Sequence, residues 1–165
     1  MINDVVATAL NRQINAELYS SYLYLSMSAY CQAINYDGFA KWMAIQAQEE
    51  YSHGMKIYEY LQERGGRVIL DAIAKPQTEW ESPLEVFEQV YEHEQEVTSL
   101  IHQLVDLAIE VKDHATFNFL QWFVEEQVEE EAHADAIVQK LKMVAKSPNG
   151  LFMMDRELAK RGSGK

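Results

Sequence analysis

The sequence predicts an all-α protein: a four-helix bundle with one long crossover and a short fifth helix at the C-terminus. Four long segments carry apolar residues three or four positions apart, which is the spacing of an amphipathic helix. The chain contains only 7 Gly and 3 Pro, and this favours long helices over a β fold with many turns. With 165 residues, 48% of them hydrophobic, it is expected to form one domain over residues 1–165 with a substantial core.

The first two helices are expected to form an antiparallel pair. The first runs over about residues 4–33 with Asn3 or Asp4 as its cap, and residues 35–38 form a short turn. The second helix ends near Arg64, where two glycines follow. The predicted inner face of the first helix comprises Val6, Leu10, Ile14, Glu17, Ser21, Leu25 and Ala29, and that of the second comprises Phe39, Trp42, Met43, Ala47, Glu50, His53, Gly54, Ile57, Tyr58 and Leu61.

The connection between the second and third helices decides the topology. Residues 66–81 lack a sustained helical period and contain Pro76. Fully extended, they span roughly 50 Å at about 3.3 Å per residue, whereas a helix of about 28 residues is roughly 42 Å long. The connection can therefore cross the bundle from end to end, which places the third helix parallel to the second.

The third and fourth helices have recognisable starts. Ser82, Pro83 and Glu85 combine an N-cap, a proline at the first helical position and a capping-box glutamate, and Asp113 is the expected cap of the fourth helix. The bundle is expected over about residues 4–145, the fifth helix over about residues 150–161, and a frayed tail over residues 162–165. The predicted inner faces comprise Phe87, Tyr91, Glu94, Val97, Ile101, Leu104 and Ala108 on the third helix, and Phe117, Leu120, Phe123, Val124, Gln127, Glu130, Ala134, Ile137 and Leu141 on the fourth.

Metal-ligating side chains interrupt all four predicted inner faces. An unpaired carboxylate in an apolar core costs several kcal/mol, and a divalent cation between the helices would be a suitable partner. A local polar network could explain any single insertion, but four at compatible heights favour a metal centre. An oxygen-rich donor set suits iron or manganese better than a thiolate-preferring metal. The insertions are Glu17, Glu50 with His53, Glu94, and Gln127 with Glu130.

The chain resembles the non-haem ferritins, especially the bacterial type, from about residue 11 to residue 161. The resemblance rests on the segments Asn-Ala-Glu-Leu-Tyr-Ser-Ser from residue 15, Gln-Glu-Glu-Tyr-Ser-His from residue 48 and Phe-Asn-Phe-Leu-Gln-Trp from residue 117. Ferritin-like bundles carry inward glutamates on two helices and Glu-x-x-His pairs on the other two. Here the second pair is Gln127-x-x-Glu130, a departure that is typical of ferritins.

The resemblance implies a di-iron ferroxidase centre within one subunit. Glu17, Glu50 and His53 would hold the first iron. Glu50 would bridge, Glu94 and Glu130 would hold the second iron, and Gln127 would lie beside it. Tyr24 matches a tyrosine that hydrogen-bonds or gives an electron next to the centre, although simple core packing is the alternative. Glu49, Glu126 and Glu129 match the ligands of a third iron site, and a solvated acidic helix face is their alternative explanation.

The function implied by the resemblance is iron storage. A homo-24-mer shell would oxidise Fe(II) with dioxygen or hydrogen peroxide and keep ferric mineral inside, with the fifth helix around a four-fold axis. No haem is expected, since Ser52 stands where bacterioferritins have their haem-binding methionine. Animal ferritins line a three-fold channel with carboxylates, and the matching positions here are Thr116, Phe117 and Leu120. An acidic three-fold entry is therefore not expected, and iron could enter by another route.

Composition bears on partners and location. The net charge of −12 argues against nucleic acid, and no window of 18 apolar residues could span a membrane. The N-terminus shows no cleavage signature, so the cytoplasm is the expected location. The single Cys31 excludes an intramolecular disulfide and is expected to be a buried filler. Three histidines lie off the predicted inner faces and are expected at the surface: His93, His102 and His114.

Two other functional classes remain open. A di-iron peroxidase or oxygenase on a similar bundle usually carries two Glu-x-x-His pairs, whereas this chain has one. A metal-free structural or signalling bundle would have leucine-like residues at the four glutamate positions of the inner faces. Oligomeric size and Fe(II) oxidation distinguish these classes from a ferritin.

Overall fold

The computed structural model describes residues 1–162, which form five α-helices and no strand. The predicted all-α class is therefore confirmed, and residues 163–165 of the expected tail lie outside the described part of the chain. Helices α1 and α2 pack side by side as one hairpin, α3 and α4 as a second, and α5 packs on α2 and α4. The helices are α1 (Asp4–Ala33), α2 (Asp37–Glu63), α3 (Pro83–Glu110), α4 (His114–Val144) and α5 (Pro148–Leu158).

The helices α1, α3 and α4 begin at the caps that the sequence predicts. Asn3 Oδ1 accepts a hydrogen bond from the Val5 N–H at 2.8 Å. Ser82 Oγ accepts from the Glu85 N–H at 3.2 Å, and Asp113 Oδ1 from the Thr116 N–H at 3.0 Å. Each bond satisfies a backbone donor that the first helical turn leaves without a partner.

Helix α5 lies slightly earlier in the chain than the expected residues 150–161. Ser147 caps it by accepting from the Gly150 N–H at 3.0 Å, and Pro148 takes the first helical position. The helix ends at Leu158. The segment 147–150 thus both ends α4 and starts α5, because a capping serine followed by proline is itself a helix start.

The crossover runs lengthwise along α1, which binds it with side-chain hydrogen bonds. Asn11 Nδ2 donates to Arg67 O at 3.0 Å, and Asn11 Oδ1 accepts from the Ile69 N–H at 2.8 Å. Further along α1, Asn15 Nδ2 donates to Ala72 O at 3.1 Å, and Ser26 Oγ donates to Gln77 O at 2.6 Å.

This crossover brings the chain back to the end where α2 begins. Phe39 and Trp42, near the start of α2, make edge contacts with Phe87 near the start of α3, with ring centroids 5.7 and 5.3 Å apart. Helix α3 is therefore parallel to α2, as the length of the connection predicts.

The inner face of α1 departs from the prediction in its second half. Leu25 is 53% exposed and Ala29 is exposed, so both were wrongly placed on this face, and Ser21 is only half-buried. A spacing of four drifts around the helix, whereas helices in a bundle keep an average spacing of 3.5. The buried residues follow that spacing: Val6, Leu10, Gln13, Glu17, Ser20, Tyr24, Met27 and Cys31.

The positions that match the animal three-fold channel do not share one surface. Thr116 and Leu120 are buried inside the subunit, so neither could line a channel. Phe117 was predicted on the inner face of α4 and is instead 38% exposed. The remaining predicted positions on α4 are buried, except for the half-buried Val124.

The core consists of two apolar clusters at opposite ends of the bundle. One contains Leu23, Met27, Phe39, Met43 and Phe87. The other contains Leu10, Ile14, Ile57, Ile101 and Leu120. Buried polar side chains lie between the two clusters. Within residues 1–162, no helix is long and apolar enough to cross a bilayer.

Candidate metal centre

A layer of buried acidic side chains divides the core. Glu50 and Glu94 are fully buried, and Glu17 is 1% exposed. Each stands at a point where its helix faces the bundle axis, because the 3.5-residue spacing of the inner face continues through it. Apolar packing above and below holds these carboxylates in a site that water does not solvate.

The structure brings the predicted donors together in two overlapping groups. Glu17, Glu50 and His53 offer one ligand atom each, all within 4.8 Å of one another. Glu50, Glu94 and Glu130 form a second group within the same limit. Since Glu50 belongs to both groups, its carboxylate lies between two possible cation positions.

Two carboxylate oxygens in this layer have no hydrogen-bond partner. Glu17 Oε1 accepts from Gln13 Nε2 at 3.1 Å, but Glu17 Oε2 has no partner. Glu50 Oε1 accepts from Gln46 Nε2 at 3.0 Å, and Glu50 Oε2, which lies 3.3 Å from His53 Nδ1, makes no hydrogen bond in this geometry. Buried polar atoms are normally satisfied. Glu17 and Glu50 both belong to the first donor group, so their unpartnered oxygens fit a cation bound there.

Burial shifts three of these carboxylates toward the protonated form. Desolvation raises the pKa of Glu17 to about 7, and the hydrogen bond from Gln13 partly opposes that rise. Desolvation and the neighbouring Glu94 raise the pKa of Glu50 well above its usual range. Desolvation and Glu94 raise the pKa of Glu130 to about 8. Divalent cations must displace these protons on binding, and their charge would then balance the carboxylates.

His53 is suited to metal ligation. Burial lowers the pKa of its imidazole, which keeps the ring neutral and one nitrogen free to ligate. Its ring makes edge contacts with Trp122 and Phe123, with centroids 5.3 and 6.2 Å apart. These contacts fix the ring plane.

Glu94 receives hydrogen bonds from two predicted neighbours. Tyr24, fully buried, donates its phenol O–H to Glu94 Oε2 at 2.6 Å. Burial and the adjacent carboxylates raise the pKa of Tyr24 well above its usual value, so the phenol stays protonated. Gln127 Nε2 lies 3.1 Å from Glu94 Oε1 and from Thr98 Oγ1. The amide of Gln127 thus acts here as a donor to Glu94.

The residues of the predicted third site lie on the edge of this layer. Glu126 is half-buried, and burial followed by repulsion from Glu129 and Glu49 raises its pKa, so the three carboxylates interact. Glu126 also forms a donor group with His53 and Glu130. Glu129 is exposed, and Glu49 is ion-paired with Arg161 at 2.9 Å.

His93 was wrongly expected at the surface, whereas His102 and His114 are exposed as predicted. The His93 side chain is 13% exposed, and its Nε2 lies 2.7 Å from Ser20 Oγ. Its ring makes edge contacts with Tyr19 and Tyr24. A histidine next to an inner-face residue can still turn into the groove between two helices. The apolar spacing within a single helix does not reveal such a contact.

Two glutamines in the layer were missed by the sequence analysis. Gln13 and Gln46 are buried, and each lies four residues before a carboxylate that it binds, Glu17 and Glu50 respectively. Both follow the 3.5-residue spacing of their helices. Continuing that spacing strictly would have identified them.

The region that matches known proteins contains the residues of this centre. The family described as a ferritin-like domain matches residues 7–144, which include all of the donors above. The chain belongs to the ferritin family. The bacterial non-heme ferritin of Bacteroides fragilis is 47% identical over 161 residues, covering 98% of this chain and 100% of that protein. The probable bacterial non-heme ferritin-like protein of Haemophilus influenzae is 44% identical over 158 residues, covering 96% of each.

Solved ferritin structures have the same fold. The open pore ferritin of the archaeon Archaeoglobus fulgidus superposes with a TM-score of 0.97 at 53% identity, covering 98% of this chain and 99% of that one. A form of the same ferritin engineered to be closed also has a TM-score of 0.97. The ferritin-like bundle with one long crossover and a short fifth helix is therefore confirmed.

Proposed function

We propose that this ferritin-family protein takes up Fe(II), oxidises it and stores the ferric product inside a homo-oligomeric shell. The observation that carries the proposal is the pair of buried donor groups that share Glu50, because two carboxylate-rich positions side by side fit two Fe(II) substrate ions. In this proposal Glu17, Glu50 and His53 bind the first ion, and Glu50, Glu94 and Glu130 bind the second, with Gln127 beside it.

The protein's side chains would set up the redox step. Each of two Fe(II) ions loses one electron, and dioxygen accepts both electrons with two protons to become hydrogen peroxide. Carboxylates favour Fe(III) over Fe(II), since a hard, anionic ligand prefers the higher charge. Burial favours the protonated forms of Glu17, Glu50 and Glu130, and these residues release their protons when the ions bind. When hydrogen peroxide is the oxidant, the same two electrons reduce it to water.

The second position is expected to bind iron more weakly. It has no imidazole, and Tyr24 and Gln127 both donate hydrogen bonds to Glu94, which lowers the negative charge available to an ion. A weaker site suits iron that is passed onward. Glu49, Glu126 and Glu129 lie at the edge of the same layer and are the proposed third iron site.

Several exposed apolar side chains support assembly. Tyr22 and Leu25 on α1 are 50% and 53% exposed, and Ile69 and Leu70 of the crossover are 61% and 63% exposed. Both pairs lie on α1 or on the crossover that runs along it, which makes this side of the subunit a candidate for contact with a partner. We propose that copies of this chain cover it in a 24-subunit shell, located in the cytoplasm, where a free Cys31 is compatible with the reducing conditions.

Aerobic Fe(II) addition to the metal-free, size-separated protein tests the proposal. We expect rapid formation of ferric absorbance, with iron co-eluting with a particle near 24 subunits. Glu50→Ala should slow the rapid phase more than about 100-fold, because both positions lose a ligand and even a supporting residue costs about 10- to 100-fold in affinity. Glu59→Ala, an exposed position on the same helix, is the control.

Each alternative has its own result. Rapid oxidation by a small oligomer would indicate a di-iron redox enzyme. No oxidation by the assembled wild-type protein would contradict the ferroxidase proposal and favour a structural bundle. Wild-type kinetics in Glu50→Ala would show that oxidation occurs away from this centre.

A further inference from the structure

Gln46 connects the two donor groups to the C-terminal segment of the chain. Its side chain is buried, and its Nε2 donates to Glu50 Oε1 at 3.0 Å and to Glu130 Oε2 at 2.6 Å. Its Oε1 accepts from Arg161 Nη2 at 2.8 Å. A side-chain amide has two N–H donors and one carbonyl, so all three groups of Gln46 are used.

The orientation of this amide follows from its partners. A guanidinium has only donors, so the carbonyl oxygen of Gln46 must face Arg161. With the carbonyl oxygen at Arg161, the NH2 group faces Glu50 Oε1 and Glu130 Oε2, which accept its two hydrogen bonds. The reversed amide would place oxygen against two carboxylates and NH2 against a cation. Arg161 therefore determines which end of Gln46 faces the centre.

Arg161 is held firmly where it reaches α2, three residues beyond the end of α5. Its Nη1 donates to Trp42 O at 3.1 Å, its Nη2 to Glu49 Oε2 at 2.9 Å, and its guanidinium lies 4.2 Å from the Trp42 ring centroid. Together with the hydrogen bond to Gln46, these contacts join the guanidinium to three successive turns of α2.

The residue that follows Arg161, Gly162, allows the chain to approach α2 closely. It has φ of 75°, which a side chain would oppose, and a Cβ there would lie 3.1 Å from Ile45 Cδ1. The chain can therefore pass close to α2 directly after Arg161. This local geometry is independent of the hydrogen bonds that Arg161 makes.

We propose that Gln46 and Arg161 are positioning residues of the metal centre: Gln46 holds Glu50 and Glu130 at the shared and second cation positions, and Arg161 holds Gln46. The inference rests on the proposed function in one respect, that Glu50 and Glu130 bind divalent cations. Gln46 takes one oxygen of each carboxylate, and Glu50 Oε2 is left without a hydrogen bond, facing the centre.

Arg161 also restrains Glu49. Arg161 donates to Glu49 and Gln46 from the same nitrogen, so one side chain restrains both a carboxylate of the proposed third site and the amide that supports the first two positions. Loss of Arg161 frees Glu49 for a cation while it loosens Gln46. The two effects have opposite signs and can be measured separately.

Anaerobic titration with Co(II) tests the inference without iron oxidation. Binding to the assembled metal-free protein is followed by calorimetry and by the visible Co(II) spectrum, which reports ligand number and geometry. The wild type is expected to bind two Co(II) per subunit in distinguishable steps. Q46M, which keeps side-chain length and removes the donors, should weaken the second step by about 10- to 100-fold, the usual range for residues that support a metal ligand.

A double-mutant cycle tests whether Arg161 acts through Gln46. R161A should weaken the second step in the same direction as Q46M, and the double variant Q46M/R161A should bind no more weakly than Q46M alone. R156A, an exposed arginine in α5, is the matched control and should bind as wild type does. R161A should also gain affinity for a further Co(II) that Glu49→Ala removes.

The outcomes separate this inference from the proposed function. A wild-type protein that binds no Co(II) would overturn the proposed centre itself. Wild-type binding with an unchanged second step in Q46M would overturn the role of Gln46, and additive losses in the double variant would overturn the dependence on Arg161. Light scattering verifies assembly of each variant. Q46N, which is too short to reach both carboxylates, carries the same test if Q46M does not assemble.

Discussion

Asp155, in the middle of α5, caps the N-terminus of α2 by accepting a hydrogen bond from the Phe39 N–H at 2.9 Å. Helix α2 has no cap of its own, since Tyr36 at its N-cap position makes no side-chain cap bond. Gly38 lies directly against α5, where an added Cβ would be only 1.7 Å from Asp155 O. The packing of α5 therefore depends on one carboxylate and on one position without a side chain.

Asp155→Ala should loosen α5 by about 1 kcal/mol, the usual cost of removing a helix cap. Hydrogen exchange of the α5 amides should become faster, while exchange in the centre of α1 to α4 stays as in the wild type. Gly38→Ala should have a larger effect in the same direction, because it prevents the close approach. Asp106→Ala, at an exposed site on α3, is the control. Unchanged exchange in both test variants would contradict this account of α5 packing.

Divalent-cation affinity should rise with pH between 6 and 8.5. The cation displaces protons from Glu17, with a pKa of about 7, and from Glu130, with a pKa of about 8, so binding becomes easier as these groups lose their protons. Anaerobic Co(II) calorimetry in buffers of different ionisation enthalpy measures both the affinity and the number of protons released. An affinity independent of pH over this range would show that these carboxylates are not the ligands.

The same groups set the pH dependence of the metal-free protein's stability. The folded state binds these protons more tightly than the unfolded chain, where the carboxyl pKa is near 4.5. Their contribution to stability is therefore full below pH about 4.5 and is lost as the pH rises through about 7 for Glu17 and about 8 for Glu130. Glu130→Gln should thus raise the unfolding temperature of the metal-free protein at pH 8.5 and change it little at pH 5, while weakening cation binding.

Tyr24→Phe should slow Fe(II) oxidation by about tenfold. The variant removes the 2.6 Å hydrogen bond to Glu94, and a hydrogen bond to a charged group contributes about 1.5–3 kcal/mol. Stopped-flow absorbance measures the rapid phase, and Co(II) titration shows whether binding changes with it. A slower rate with unchanged Co(II) affinity would assign Tyr24 a role in electron or proton transfer. Tyr22→Phe, at a half-exposed site on the same helix, should match the wild type.

Replacing the proposed third-site carboxylates together should change turnover but leave the first oxidation step intact. These residues, Glu49, Glu126 and Glu129, lie at the edge of the buried layer, so the two inner positions keep all of their donors. Repeated Fe(II) additions measure recovery of the rapid phase after the first turnover. The control replaces exposed glutamates elsewhere with Ala: Glu59, Glu63 and Glu110. If every phase matches the wild type, the three residues form only an acidic surface.

Much of the fold was predictable because its signals are local. The caps at Asn3, Ser82 and Asp113 each act within one helical turn, and the length of residues 66–81 is sufficient to imply the parallel placement of α3. The inner face of α1 was predicted only in part. A spacing of four instead of 3.5 accumulates an angular error, which placed Leu25 inside although it is 53% exposed.

The sequence by itself determined the helices, their order and the carboxylates of the candidate centre, since each of these carboxylates occupies an inner-face position on its own helix. Only the tertiary structure decided how Gln46 is oriented, that Arg161 reaches it, that His93 lies half-buried against Ser20 and that Asp155 caps α2. The physical reason is the range of the interactions. Periodicity and capping act over a few residues, whereas these contacts join residues more than 70 positions apart, and only the packed chain brings them together.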